Sequence, residues 1–116
     1  MKSTFRRNVI VFGTEFWDFY NAQKKKVQDK IDWVIGLVKV LQIIPEKYFK
    51  HIEGEEGLFE IRVKLGNNIF RIFCFFDEGN LVILINGFQK KTDKTPKEEI
   101  LRAKRLKQRY YEEKEK

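Results

Sequence analysis

The sequence contains one cysteine, Cys74, and one histidine, His51, and each scarcity removes a class of chemistry. A lone cysteine forms no internal disulfide, and a lone histidine with one cysteine gives no metal-ligand cluster of the usual spacing. Cys74 falls mid-way along an apolar stretch and reads as a small buried hydrophobe. The nucleophile elbow Gly-x-Ser-x-Gly, the P-loop and the dinucleotide fingerprint are missing, so acyl transfer and nucleotide-fold chemistry have no motif to rest on. No apolar run approaches the ~20 residues that span a bilayer. Phe5-Arg6-Arg7 leads into too short an apolar run for a secretory signal, so the expectation is a soluble cytoplasmic protein. There are only two prolines, and no linker, repeat or low-complexity segment. At 116 residues the expectation is a single domain, 1–116, with one core.

What is present is aromatic and basic. Hydrophobic residues make up 42%, with eleven Phe, which excludes a disordered chain. The formal charge of +7 favours an acidic partner such as nucleic acid or an acidic protein. Most of the excess lies between Gln89 and Arg109, with nine Lys or Arg against three acids.

The stretch Leu58 to Lys91 predicts three consecutive strands, over roughly 58–65, 69–76 and 81–88. Leu65-Gly66-Asn67-Asn68 and Asp77-Glu78-Gly79-Asn80 join them, both rich in residues that tolerate positive φ. In the first strand Phe59, Ile61, Val63 and Leu65 alternate with Glu60, Arg62 and Lys64. In the second, Phe70, Ile72, Cys74 and Phe76 share a face, leaving Arg71 with Phe73 and Phe75. Leu81 to Ile85 is apolar throughout, as suits a strand covered on both sides.

Upstream, Val9 to Phe12 reads as a short strand closed by Gly13, with Thr14 as the cap of a following helix. Val27, Ile31, Val34, Val38 and Leu41 form a helical stripe that ends before Pro45. The pattern leaves open whether 15–43 is one bent helix or two. Residues 45–57 read as a polar loop. Thr95 is the expected N-cap of the last helix, with Pro96 at its first position and Glu98 completing a capping box. Ile100, Ala103, Leu106 and Tyr110 form that helix's inner stripe.

The chemistry left to such a chain is that of cations. Lys50, Arg62, Arg71, Lys90 and Lys91, with Glu60 and His51 close in sequence, suit phosphate binding and stabilisation of a phosphorane transition state. RNA supplies its own nucleophile, the 2′-hydroxyl, so cleavage needs in-line geometry, charge stabilisation and proton exchange, for which His51, Glu60 or a lysine are candidates. Each residue has a plainer role too: Glu60 as a counter-ion for Arg62 or Arg71, His51 as a bystander, the lysines as solvated turns.

Several short motifs, in order, resemble one family. Gly57-Leu58-Phe59-Glu60-Ile61-Arg62, Phe70-Arg71-Ile72 and Asn86-Gly87-Phe88-Gln89-Lys90-Lys91-Thr92 are followed by Lys94-Thr95-Pro96, Glu98-Glu99-Ile100 and Ala103. This pattern is similar to the RelE/HigB-like toxins of toxin–antitoxin systems, especially the phage-derived HigB-like branch, over most of the chain. The resemblance implies an α+β, RelE-like compact domain. Its twisted, mainly antiparallel sheet would combine an N-terminal strand with the three-strand meander, packed with N-terminal helices and a C-terminal helix. It also implies a metal-independent, cofactor-free endoribonuclease that cuts mRNA on the ribosome and is neutralised by a cognate helix-turn-helix antitoxin. By position, Arg71 matches a strand arginine at the scissile phosphate and Arg62 the arginine of Glu-x-Arg. Lys90 and Lys91 match a basic pair after the last strand, and Lys50 a basic residue before the meander. Phe88 would stack on a base, with Lys94, Lys97, Lys104 and Arg105 as further RNA contacts. Where ribosome-dependent relatives have a tyrosine or histidine near the C-terminal end of the site, this chain has Phe88, Thr92 and Thr95. The competing expectation is a non-catalytic basic domain that binds nucleic acid or an antitoxin on the same scaffold.

Overall fold

The computed structural model describes residues 5–116; residues 1–4 of the expected domain lie outside it. The chain runs β1 (Asn8–Val11), α1 (Glu15–Asn21), α2 (Lys25–Val40), β2 (Phe49–His51), β3 (Phe59–Leu65), β4 (Asn68–Asp77), β5 (Leu81–Lys90) and α3 (Lys97–Lys114). Among the described residues five strands form one mixed sheet in the order β1-β5-β4-β3-β2 and three helices pack on it, an α+β fold. β1 pairs parallel with β5, and every other pair is antiparallel. No helix among the described residues is long and apolar enough to cross a membrane.

Strand alternation divides the core in two. Ile61, Val63, Phe70, Ile72, Cys74, Val82 and Leu84 meet Phe16 and Phe19 of α1 and Val27, Ile31, Val34 and Val38 of α2. On the opposite face Phe73, Phe75, Ile83 and Ile85 meet Ala103 and Leu106 of α3, joined by Ile52 and Leu58. The apolar run of β5 is therefore covered from both sides, as its lack of alternation requires. Burying each aliphatic side chain of the α2 stripe contributes about 1.5–3 kcal/mol. Cys74 is buried, and desolvation raises its thiol pKa, leaving it an inert core residue.

The 15–43 region resolves into two helices. The amides of Gln23 and Gln28 donate to Phe19 O and Tyr20 O at 3.0 and 2.9 Å, satisfying the end of α1, and the chain then extends at Lys24. The end of α2 is closed by the Arg7 guanidinium, which donates to Val38 O, Leu41 O and Gln42 O.

Two expectations are corrected and a third is refined. The 45–57 loop contains β2, which pairs with β3 over Phe49–His51 and makes the sheet one strand larger. The N-cap of α3 is Pro96, not Thr95, and no side-chain cap bond forms. Thr14 does cap α1, but its hydroxyl makes no cap bond; its backbone N–H instead donates to Glu15 Oε1 at 3.1 Å.

Candidate nucleic-acid interface

The meander register puts the candidate residues in rows across neighbouring strands. Lys50 is opposite Glu60, which is opposite Phe73. Arg62 is opposite Arg71, and Arg71 is opposite Phe88. Residues directly opposite share a face, so Lys50, Glu60, Arg62, Arg71 and Phe88 all lie on the α3 side of the sheet. Lys90 joins them through Ile69, its partner in β4. Phe88 packs edge-to-face on Phe73, with ring centroids 5.1 Å apart.

Phe88 and Lys90 reach this face because β5 carries one extra residue. The pairing shifts from Ile72 with Gly87 to Cys74 with Leu84, leaving Ile85 and Asn86 opposite Phe73. Without that bulge the parity of β5 would send both side chains to the α1–α2 face. Gly87 is the residue that lands there, and a Cβ at this position would overlap the Phe19 ring. Asn86, fully buried at the bulge, donates to Glu99 O and Glu99 Oε1 at 3.1 and 3.0 Å, tying β5 to the first turn of α3.

Two arginines directly opposite one another repel, and Glu60 offsets the repulsion. Its Oε2 lies 3.0 Å from Arg62 Nε and 3.1 Å from Arg71 Nε. Glu60 and Arg71 are each only 6% exposed, so this is a largely dehydrated ion triad. Its geometry is not ideal at Arg71, whose Nε is within ion-pair distance of Glu60 but has no aligned hydrogen-bond acceptor. Arg71 Nη1 donates to Phe70 O at 3.3 Å, which helps fix the guanidinium. Desolvation lowers the Arg71 pKa, and the neighbouring charge of Arg62 adds to this, while Glu60 opposes it. A guanidinium remains charged under such conditions.

β2 spans only three residues, so β3 beyond Arg62 has an open outer edge. A cleft of about 430 Å³ straddles it. Its cationic lining is Lys30 from α2, Lys47 before β2, Arg62 and Lys64 from β3, and Arg71 from β4; Tyr48 contributes an aromatic ring, and among the described residues no carboxylate lines it. Arg62 holds the wall in place. Its backbone N–H donates to Tyr48 O at 2.8 Å, and its Nη1 to Glu46 O at 3.2 Å.

Of the sequence candidates, Arg62 and Arg71 line the cleft, while Lys50, Glu60, Phe88 and Lys90 share their face of the sheet without lining it. His51 is opposite Phe59 and packs edge-to-face on its ring at 5.1 Å, on the α1–α2 side of the sheet. One residue of strand register separates it from Lys50, and that is enough to turn it away from the arginines. Lys91 lies beyond the end of β5, and Lys94, Lys97 and Arg105 are exposed along or before α3. Lys104 pairs with Glu55 at 3.2 Å. None of these lines the cleft. Conversely, Lys30, Lys47, Tyr48 and Lys64 line the cleft and are not among the residues that the sequence patterns point to. Lys64 shares the alternation of Glu60 and Arg62, the one local signal that marks it. The other three come from α2 and the segment ahead of β2, and only the packing of the chain brings them to the arginines.

The residues from Lys30 to Arg71 that build the cleft all fall within 18–108, the span that matches the family described as Phage derived protein Gp49-like (DUF891). Comparison with curated proteins gave no match. With the match running from α1 into α3, over residues 18–108 of 116, the chain belongs to the phage-derived Gp49-like proteins, a toxin-type family related to the RelE/HigB-like toxins.

Proposed function

We propose that this protein is the toxin of a toxin–antitoxin pair, of the phage-derived HigB-like branch, acting in the cytoplasm as a ribosome-dependent mRNA endonuclease. The observation that carries this reading is the cleft at the open edge of β3, where five cations converge without a carboxylate in the lining. Such a surface favours a polyanion that can be gripped along its backbone.

In this mechanism Arg62 and Arg71 meet the scissile phosphate. The 2′-hydroxyl attacks the adjacent phosphorus and gives its proton to solvent water, the P–O5′ bond breaks, and the 5′-oxygen takes a proton from solvent or a lysine of the same face; Glu60, outside the cleft lining, holds the two arginines in place. The products are a 2′,3′-cyclic phosphate and a 5′-hydroxyl. The two guanidiniums neutralise the charge that builds on the equatorial oxygens. Lys50 and Lys90, on the same face, extend the phosphate track. Phe88 presents a ring beyond Arg71. Lys91, Lys94, Lys97 and Arg105 serve docking on ribosomal RNA, as does Lys104 when it leaves Glu55. His51 has no part, because the sheet lies between it and the arginines. No metal or cofactor is needed, and a helix-turn-helix antitoxin would neutralise the toxin.

Primer extension on a defined message, with and without translating ribosomes, tests the reading. Cuts within codons that need ribosomes and vanish in Arg71→Ala are expected, since losing one electrostatic donor costs about 10²–10³-fold. A folded Arg71→Ala that cuts as well as the parent would overturn the assignment. The exposed outer residues Lys97, Arg102 and Arg105 favour a second reading, a non-catalytic binder that grips through α3. Charge reversal there would then abolish activity while Arg71→Ala would hardly matter.

A further inference from the structure

We propose that Tyr48, braced by Trp33, is a platform on which a base of single-stranded RNA stacks while its phosphate lies at Arg62 and Arg71. This rests on the RNA reading of the cleft and adds to it the place of a nucleobase. Tyr48 is the aromatic residue of the cleft lining, half-buried and fixed at its backbone. Its N–H donates to Pro45 O at 2.9 Å, and its carbonyl accepts from the Arg62 N–H at 2.8 Å. The platform and the phosphate-binding arginine are thus adjacent through one backbone bond.

Trp33 meets the Tyr48 ring edge-on, with centroids 5.6 Å apart and planes at 81°. It lies off the buried stripe of α2 and is 49% exposed, so the core does not explain it. Two cations complete the wall. Lys30 Nζ sits 4.4 Å from the Trp33 ring centroid, and Lys47 Nζ sits 5.4 Å from that of Tyr48. Aromatic rings flanked by ammonium groups, at the mouth of an acid-free cleft, match the combination that binds single strands: faces for bases and charges for phosphates. A second exposed aromatic groove, between α1, α2 and β1 beside Trp17, has one lysine and one aspartate in its lining and no such charge pattern.

Binding of a short 2′-O-methyl oligoribonucleotide, which lacks the attacking hydroxyl, tests the platform apart from cleavage. Tyr48→Phe should bind like the parent. Tyr48→Leu, which keeps apolar bulk against Trp33, and Tyr48→Ala should each weaken binding roughly 5- to 150-fold. An abasic ribose-phosphate oligomer should not distinguish parent from Tyr48→Leu. In a Trp17→Phe background, Trp33 fluorescence should change on binding the oligonucleotide but not the abasic oligomer. Should Tyr48→Leu, shown folded by its melting, bind as well as the parent while Arg62→Ala loses affinity, the platform is wrong and the RNA cleft stands. Absence of saturable, salt-sensitive binding by the parent protein overturns both.

Discussion

The Arg62–Glu60–Arg71 triad is where this chain departs most from what stability alone would select. A like-charged pair directly across two strands is unfavourable, and a carboxylate largely removed from water has to hold it together. Such local conflict is expected where a site is built. Glu60→Ala leaves Arg71 buried without its counter-ion and should destabilise the fold by about 3–5 kcal/mol, read as a lower urea midpoint. Arg71→Met keeps Arg62 as partner for Glu60 and removes a buried charge. Its midpoint should fall far less than that of Glu60→Ala, while the RNA cleavage proposed for this protein should be lost. An Arg71→Met protein that still cuts RNA would deny Arg71 its catalytic place. Gly87 is sensitive for a steric reason. Gly87→Ala drives a methyl group into the Phe19 ring and should cost about 1–3 kcal/mol by the same denaturation measurement.

Among the elements, α3 is held at both ends by polar contacts and in the middle by Ala103 and Leu106. Asn86 ties its first turn to the β5 bulge. At the other end Asp77 accepts from Lys114 Nζ at 2.8 Å and from the Tyr110 hydroxyl at 2.6 Å. The bond from Lys114, then that from Tyr110, hold the Asp77 carboxyl below the usual carboxylate range. Because its folded value is depressed, its contribution is complete above the unfolded pKa near ~4 and is lost as pH falls through the folded value. Tyr110 is pushed up to about 12, chiefly by its bond to Asp77. That contribution is complete below about 10 and is lost as pH climbs through the raised value. The last turns of α3 should therefore be best protected across the neutral range. Hydrogen exchange of amides 107–114 across pH should show this, with faster exchange in Asp77→Asn. In that variant the phenolate absorbance of Tyr110 should appear nearer pH ~10. A Tyr110 titration unchanged by Asp77→Asn would mean that another group sets it.

For the whole molecule, the sheet lies between two helical layers, and the cleft opens where β2 stops short of covering β3. A net charge of +7 acts at long range, but the cleft's lysines and arginines act at contact. If all five hold phosphates of a single strand, log K should fall with log salt with a slope of about −3.5. Filter binding across a salt series reads this directly. Lys30→Ala and Lys64→Ala should each flatten the slope by about 0.7. A slope near zero would remove the phosphate track.

The sequence by itself determined the strands of the meander, their inward and outward residues and the buried stripes of α2 and α3. These depend on periods of two and about 3.6, which any stretch of chain displays locally. It also determined that Arg62 and Arg71 would project from adjoining strands, because a two-residue turn at Gly66-Asn67 leaves little freedom of register. Tertiary structure decided the rest. Pairing of β2 with β3 turned Lys50 toward Glu60 and His51 away from it. The β5 bulge reversed the faces of Phe88 and Lys90. Docking of α2 carried Lys30 to a cleft whose other wall is more than thirty residues away in sequence. A shift of one residue, or the approach of a distant helix, follows from the whole core settling at once, and no local period encodes it.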